Sequence, residues 1–182
     1  MPSPIGHALA GVATACALDA RLDRRLAVAA AVLGALPDID LLLPIPHRTV
    51  THSVGAVAVV TIIAAAVTAQ VTRRSVWRVA LVCGAAYASH LLLDWLGADR
   101  FFPYGLTLGW PFSDRFYISG WDIFRQTARQ HVFGWPAIVV NLEAIAQEVA
   151  LLAPTAFALW LVRVKPASRL PAEMAGGHHP AK

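Results

Sequence analysis

Between Ser53 and Arg73 the chain runs VGAVAVVTIIAAAVTAQVT without a formal charge. As a helix, a stretch of that length and composition crosses the ~30 Å hydrocarbon core of a bilayer. Inside hydrocarbon the backbone must satisfy its own hydrogen bonds, which leaves only helices and closed barrels as spanning structures. Four further apolar segments, Ile5–Ala20, Leu26–Leu36, Val79–Leu96 and Ala137–Val164, share this character. Pro4 suits a first helical turn and Pro37 stops the second segment. The expected fold is therefore all-α, a polytopic membrane helix bundle of about five helices. The first two are short for a full crossing. The composition agrees, with 57% hydrophobic and 14% charged residues, where soluble domains carry about a quarter charged.

The net charge of +4 is spread over short clusters, so no direct nucleic-acid partner is expected. Cys16 and Cys83 lie in apolar segments without CxxC spacing and read as buried thiols. No basic region precedes the first apolar stretch, so no cleaved signal is expected. Residues 1–165 form one expected domain, followed by a Pro/Gly-rich, disordered tail over 166–182. Gly97–Pro136 is the longest non-hydrophobic section and reads as an aromatic interfacial cap, with a short surface helix over Asp122–Phe133.

If each helix crosses once, the turns sort to two ends. Arg21, Arg24, Arg25, Arg73, Arg74 and Arg78 fall at one end, with Asp38, Asp40, His47, His52, Asp94 and His7 at the other. The positive-inside rule assigns the arginine end to the cytoplasm. The protein is expected in the inner (plasma) membrane as a multi-pass chain, with the histidine–aspartate end facing outward.

That second end carries the chemistry. Pro37–Ser53, PDIDLLLPIPHRTVTHS, packs two aspartates, two histidines and an arginine beside apolar runs. A charge near hydrocarbon is costly unless it pairs, coordinates or faces water. His90 and Asp94 are four apart on one helix face. Asp38 and Asp40 point the same way if the chain is extended, which Pro37 favours for its neighbourhood. His47 and His52 suit a turn entering the Val54 helix. Mixed imidazole and carboxylate donors suit a divalent metal, most readily Zn²⁺, with Mn²⁺ or Fe²⁺ also compatible, as one or two ions. Such a centre activates water and clamps phosphoryl oxygens. Arg48 is placed to hold an anionic substrate, and Thr51 and Ser53 to orient ligands.

Plainer roles compete with these. Asp38 or Asp40 caps a turn; His90 and Asp94 join helices by a hydrogen bond; His131 is solvated. Glu143 and Glu148 are either late ligands or polar packing contacts.

Together, His7, PDID at 37–40, HRTVTHS at 47–53, SHLLLDWL at 89–96 and WPFS at 110–113 resemble the membrane-bound metal-dependent hydrolases of the YdjM type, also described as LexA-binding, inner-membrane-associated hydrolases. The resemblance covers the chain up to its last helix and implies kinship with the zinc-dependent phospholipase C and P1 nuclease superfamily, hence a phospholipase C/P1 nuclease-like all-α fold. It implies that His7, His52, one of Asp38 and Asp40, and the His90/Asp94 pair are zinc ligands, Asp94 bridging two ions, and that a regulator protein is a partner. The superfamily's further His and acid four residues apart have no counterpart after residue 94, which favours two ions over three. The expected function is cleavage of a phosphoester in a lipid or lipid-linked substrate by a metal-activated water, with Asp40, Arg48 and Asp94 in the catalytic roles and His7, Asp38, Asp40, His47, His52, His90 and Asp94 as the ligand pool. The competing functions are a membrane transporter or metal-handling permease, which would scatter polar groups along its helices, and a non-catalytic module that binds a regulator.

Overall fold

The structure, a computed structural model, describes residues 1–164; the tail expected to be disordered lies outside the described residues. Among the described residues there are five α-helices and no strand: α1 (Pro4–Leu18), α2 (Arg24–Ala35), α3 (Val54–Val71), α4 (Val76–Leu96) and α5 (Trp135–Leu159). The last runs into a π-helical turn, Trp160–Val164, and 3-10 turns occupy Leu36–Leu42 and Val50–His52. Local chemistry sets the starts. The Ser3 hydroxyl accepts the Gly6 N–H at 3.2 Å ahead of Pro4, Asp23 accepts from Leu26 at 2.9 Å, and Ser53 accepts from Ala56 at 3.1 Å. Each satisfies an amide that a helix N-terminus otherwise leaves unpaired.

α4 is the central element, with α1, α2 and α3 packed on it and α5 packed on α1. The core is built from small residues. Ala15, Leu26, Ala30, Val82, Cys83 and Ala86 form one buried cluster, which lets helix backbones approach closely. Gly11 and Gly34 take this furthest, since a Cβ on either would run into the backbone of the facing helix, at the Ala30 and His7 carbonyls respectively. Cys16 and Cys83 are free and buried.

α3, α4 and the α5 segment through Val164 are long and apolar enough to cross a membrane, while α1 is apolar but shorter. α3 is apolar all round and outwardly bare, with Ile62 67% and Val71 70% exposed. Exposed apolar surface on this scale is not a feature of a free soluble domain.

Residues 97–134 form an irregular cap over one end, and the expected helix at Asp122–Phe133 does not form. The segment is stapled to its neighbours instead. Ile123 N–H donates to Leu96 O at 2.9 Å, Ala98 N–H donates to Phe124 O at 2.8 Å, and Gln147 and Asn141 of α5 bind the backbone of Ile123, Arg125 and Ala128. A backbone whose amides are taken by other elements cannot also close a helix. These bonds also explain two of the polar residues that interrupt apolar α5. A third, Glu143, pairs with Arg125. The cap in turn completes α3, where Val54 and Gly55 donate to Leu108 O and Trp110 O at 3.0 and 3.1 Å.

Candidate metal centre

Four elements deliver side chains to one buried point beneath the cap. α1 supplies His7, the Leu36–Leu42 turn supplies Asp38 and Asp40, the segment leading into α3 supplies His47 and His52, and α4 supplies His90 and Asp94. The aspartate segment is a 3-10 turn and not the extended chain that Pro37 favours for its neighbourhood. α2 simply tightens at its C-terminal end and carries Pro37 at the turn's start, where a missing N–H costs nothing. His7, His52, His90 and Asp94 are fully buried. Asp38, with a side chain 12% exposed, and His47, at 15%, form its more open side.

Three of the imidazoles are held with one nitrogen outward and one inward. His90 Nδ1 lies 2.8 Å from the Gly34 carbonyl, which only accepts, so Nδ1 carries the proton. His47 Nδ1 donates to Asp40 Oδ1 at 2.5 Å. His52 Nδ1 faces Thr51 Oγ1 at 2.9 Å and Asp40 Oδ2 at 3.2 Å, while the Thr51 hydroxyl donates to Asp40 Oδ2 at 2.7 Å. Every Nε2 is thereby turned toward the centre, free to bind a metal once any proton on it has left. This is the arrangement by which an outer carboxylate or carbonyl orients metal-binding imidazoles.

Several of these groups lack a hydrogen bond, although His7 Nε2 lies 3.3 Å from Asp94 Oδ1. Both His7 ring nitrogens, His47 Nε2 and both Asp94 oxygens are buried without a hydrogen bond among the described residues. His52 Nε2 and His90 Nε2 are 3.1 Å apart, and Asp94 Oδ2 is 3.5 and 3.3 Å from them. Two facing lone pairs repel unless a cation or proton lies between them. Ligands at 2.0–2.1 Å on a tetrahedral ion are roughly 3.3 Å apart, and this triangle has that size. Two more trios share its members: His7, Asp38 and His90, and Asp38, His47 and His52, each with one donor atom apiece within 4.8 Å of the others. With neutral imidazoles the cluster holds the charges of Asp38, Asp40 and Asp94, and buried charge demands compensation. A divalent cation fits this donor set.

The field of the site points the same way. Burial alone would lower the pKa of His52, but Asp38, Asp40 and Asp94 raise it to about 9. Burial would raise Asp40, yet hydrogen bonds from His47, His52 and Thr51 hold it well below the usual carboxylate range. Asp38 is likewise lowered against its burial by His52, His90 and His7.

Not every expected site residue faces the centre. Asp40, expected among the ligands and catalytic groups, has both oxygens committed to His47, His52, Thr51 and the Arg48 N–H. Arg48, expected to meet substrate, is buried, with its guanidinium bound to Asp99 and to the carbonyls of Phe101 and Gly105. It locks the loop to the cap, from a backbone with φ 67°. Asp99 was not among the expected residues; nothing in its sequence neighbourhood marks it as the partner of an arginine 51 positions away. Glu148, left open between ligand and packing roles, is fully buried and accepts from Ser3 N–H at 2.8 Å and from the Ser3 hydroxyl. It thus ties α5 to the start of the helix that carries His7. His131 lies away from these trios on an exposed turn.

No curated protein and no solved structure matches the chain at the significance required. A family model, that of the YdjM inner membrane protein, matches residues 1–168, and so takes in every element of the bundle and every member of the histidine–aspartate cluster. The chain belongs to the YdjM inner membrane protein family.

Proposed function

We propose that the protein is a multi-pass membrane hydrolase whose buried cluster holds one or two divalent metal ions, zinc by donor preference, and cleaves a phosphoester in a lipid or lipid-linked substrate. The observation that carries this reading is the inward convergence of His7, His52, His90 and Asp94 on one buried point, where the His7 nitrogens and Asp94 oxygens have no hydrogen bond and His52 Nε2 meets His90 Nε2 at 3.1 Å, backed by Asp40 and the Gly34 carbonyl. Donors of this kind suit Zn²⁺, and kinship with the phospholipase C/P1 nuclease superfamily, as the sequence motifs imply, belongs to the same proposal. A divalent ion in such a centre supplies Lewis-acid charge for a phosphoryl oxygen and acidifies bound water.

The chain's own residues do the rest. His52, His90 and Asp94 form the innermost ligand set. Asp38 and His47 stand at the open side, where a substrate reaches the ions. Asp40 holds two imidazoles in the tautomer that leaves Nε2 free. The apolar run Leu41–Ile45, with Leu42 85% exposed, flanks that side and favours an amphiphilic substrate over a soluble one. The outward orientation of the site in the inner membrane rests on the arginine-rich opposite end.

The test is to purify the chain in detergent and assay phosphodiester and phospholipid cleavage before and after chelation and metal return. Metal-dependent turnover that disappears in Asp94→Ala supports the proposal. Turnover that survives chelation rejects it, and metal flux in proteoliposomes without hydrolysis would assign the cluster to a permease.

A further inference from the structure

The end of the bundle opposite the cluster carries a feature that the hydrolase reading does not use. There the α1–α2 turn and the α3–α4 turn lie side by side, joined by Arg74 and Asp23 at 2.6 Å. An open cleft of about 380 Å³ between them is lined by Arg21, Arg73, Arg74, Arg78, Ser75 and Asp19. Asp19 is turned inward and accepts the Arg21 N–H at 2.9 Å. Arg21, Arg73 and Arg78 are exposed and form no ion pair with a described residue. Ser75 begins α4 without capping it through its hydroxyl. The cleft therefore concentrates unpaired guanidinium groups, whose forks match phosphate oxygens.

An apolar groove adjoins it. Arg74 and Val79 line both, and from them the groove extends between α2 and α3 past Leu26, Ala29, Ala64 and Val67 to Cys83 of α4. Polar head and apolar extension are thus continuous along one side of the bundle. We propose that the two form a single binding site for an anionic phospholipid, with the phosphate among Arg21, Arg73 and Arg78 and an acyl chain in the α2–α3 groove. Basic pockets between membrane helices recognise anionic head groups in this way. A free phosphate ion shares the head chemistry but has nothing to place in the groove. The site needs no metal and no hydrolysis.

The experiment measures binding to the full chain in neutral detergent by native mass spectrometry and thermal shift, with phosphatidylglycerol, phosphatidylcholine and inorganic phosphate as probes. Phosphatidylglycerol is expected to bind and stabilise where phosphatidylcholine does not, less so at high salt. Arg73→Gln and Arg78→Gln should each weaken it about fivefold, and Arg115→Gln on the cap should leave it unchanged. Val67→Trp, which fills the groove, should weaken the lipid and spare inorganic phosphate. Equal binding of the two lipids, or undiminished phosphatidylglycerol binding in the arginine variants, overturns the proposal. If inorganic phosphate binds as well as the lipid and Val67→Trp affects neither, the cleft takes a soluble anion and the lipid assignment fails.

Discussion

Asp40→Asn isolates the difference between holding a metal and orienting the groups that hold it. Asp40 accepts hydrogen bonds from His47 Nδ1 at 2.5 Å and from Thr51 at 2.7 Å and faces His52 Nδ1 at 3.2 Å. An asparagine is isosteric, but only its carbonyl oxygen accepts. Its NH₂ must face either His47 or the Thr51–His52 pair, donor against donor, and the imidazole on that side loses its fixed tautomer or turns away. Loss of one such outer partner costs about 10–100-fold in metal affinity. Because Asp40 serves two imidazoles, the upper end is expected, about 100-fold or ~2.7 kcal/mol. Competition with a chromophoric chelator at neutral pH, on detergent-purified protein, reads this directly. Asp40→Asn should bind metal weakly but saturably, whereas Asp94→Ala should lose the innermost ion. Wild-type affinity in Asp40→Asn would refute the orienting role. Loss as complete as in Asp94→Ala would make Asp40 a ligand after all.

Three other outcomes follow from the same geometry. Gly34→Ala places a methyl against the His7 carbonyl and 3.2 Å from the Gly11 Cα, so α1 and α2 must part; a stability loss of about 1–3 kcal/mol should appear in thermal unfolding together with weakened metal binding. In the metal-free protein the His52 pKa is raised from 6.5 to about 9, so its protonation stabilises the fold fully below pH 6.5. That contribution should fade as pH rises to about 9, while metal affinity climbs over the same window as the competing proton leaves; a thermal-shift pH series with and without Zn²⁺ checks both slopes. Glu148→Ala strands the Ser3 amide and hydroxyl and should cost about 1–3 kcal/mol in unfolding, yet leave metal stoichiometry intact, as a chelator titration would register.

Much of this could be read from the residues. The uncharged run at Val54–Thr72 is α3 to within a residue of its observed end, because an apolar stretch that long has no other use. His90 and Asp94 sit on one face by helix periodicity alone, and the histidines and aspartates gather at the end of the bundle where the alternation of helices sends them. What escaped the sequence depends on partners distant in the chain. Asp40 and Asp38 are alike in composition and neighbourhood, and only the packed positions of His47 and His52 engage one with two Nδ1 atoms and leave the other more open beside the centre. Arg48 meets Asp99, and Glu148 meets Ser3, across separations that no local pattern encodes. Asp122–Phe133 has helix-compatible residues whose amides are claimed by α4 and α5. Gly34 carries no chemical mark, although its lack of a side chain brings His7 close and its carbonyl fixes His90.

The most direct measurement is elemental analysis of bound metal in detergent-purified wild type and His90→Ala, with circular dichroism confirming that both stay helical. A metal centre in the His52–His90–Asp94 cluster requires at least one equivalent of divalent metal per wild-type chain and a clear loss in His90→Ala at unchanged helicity. A wild-type protein that remains metal-free after exposure to micromolar Zn²⁺, Mn²⁺ and Fe²⁺ would contradict it.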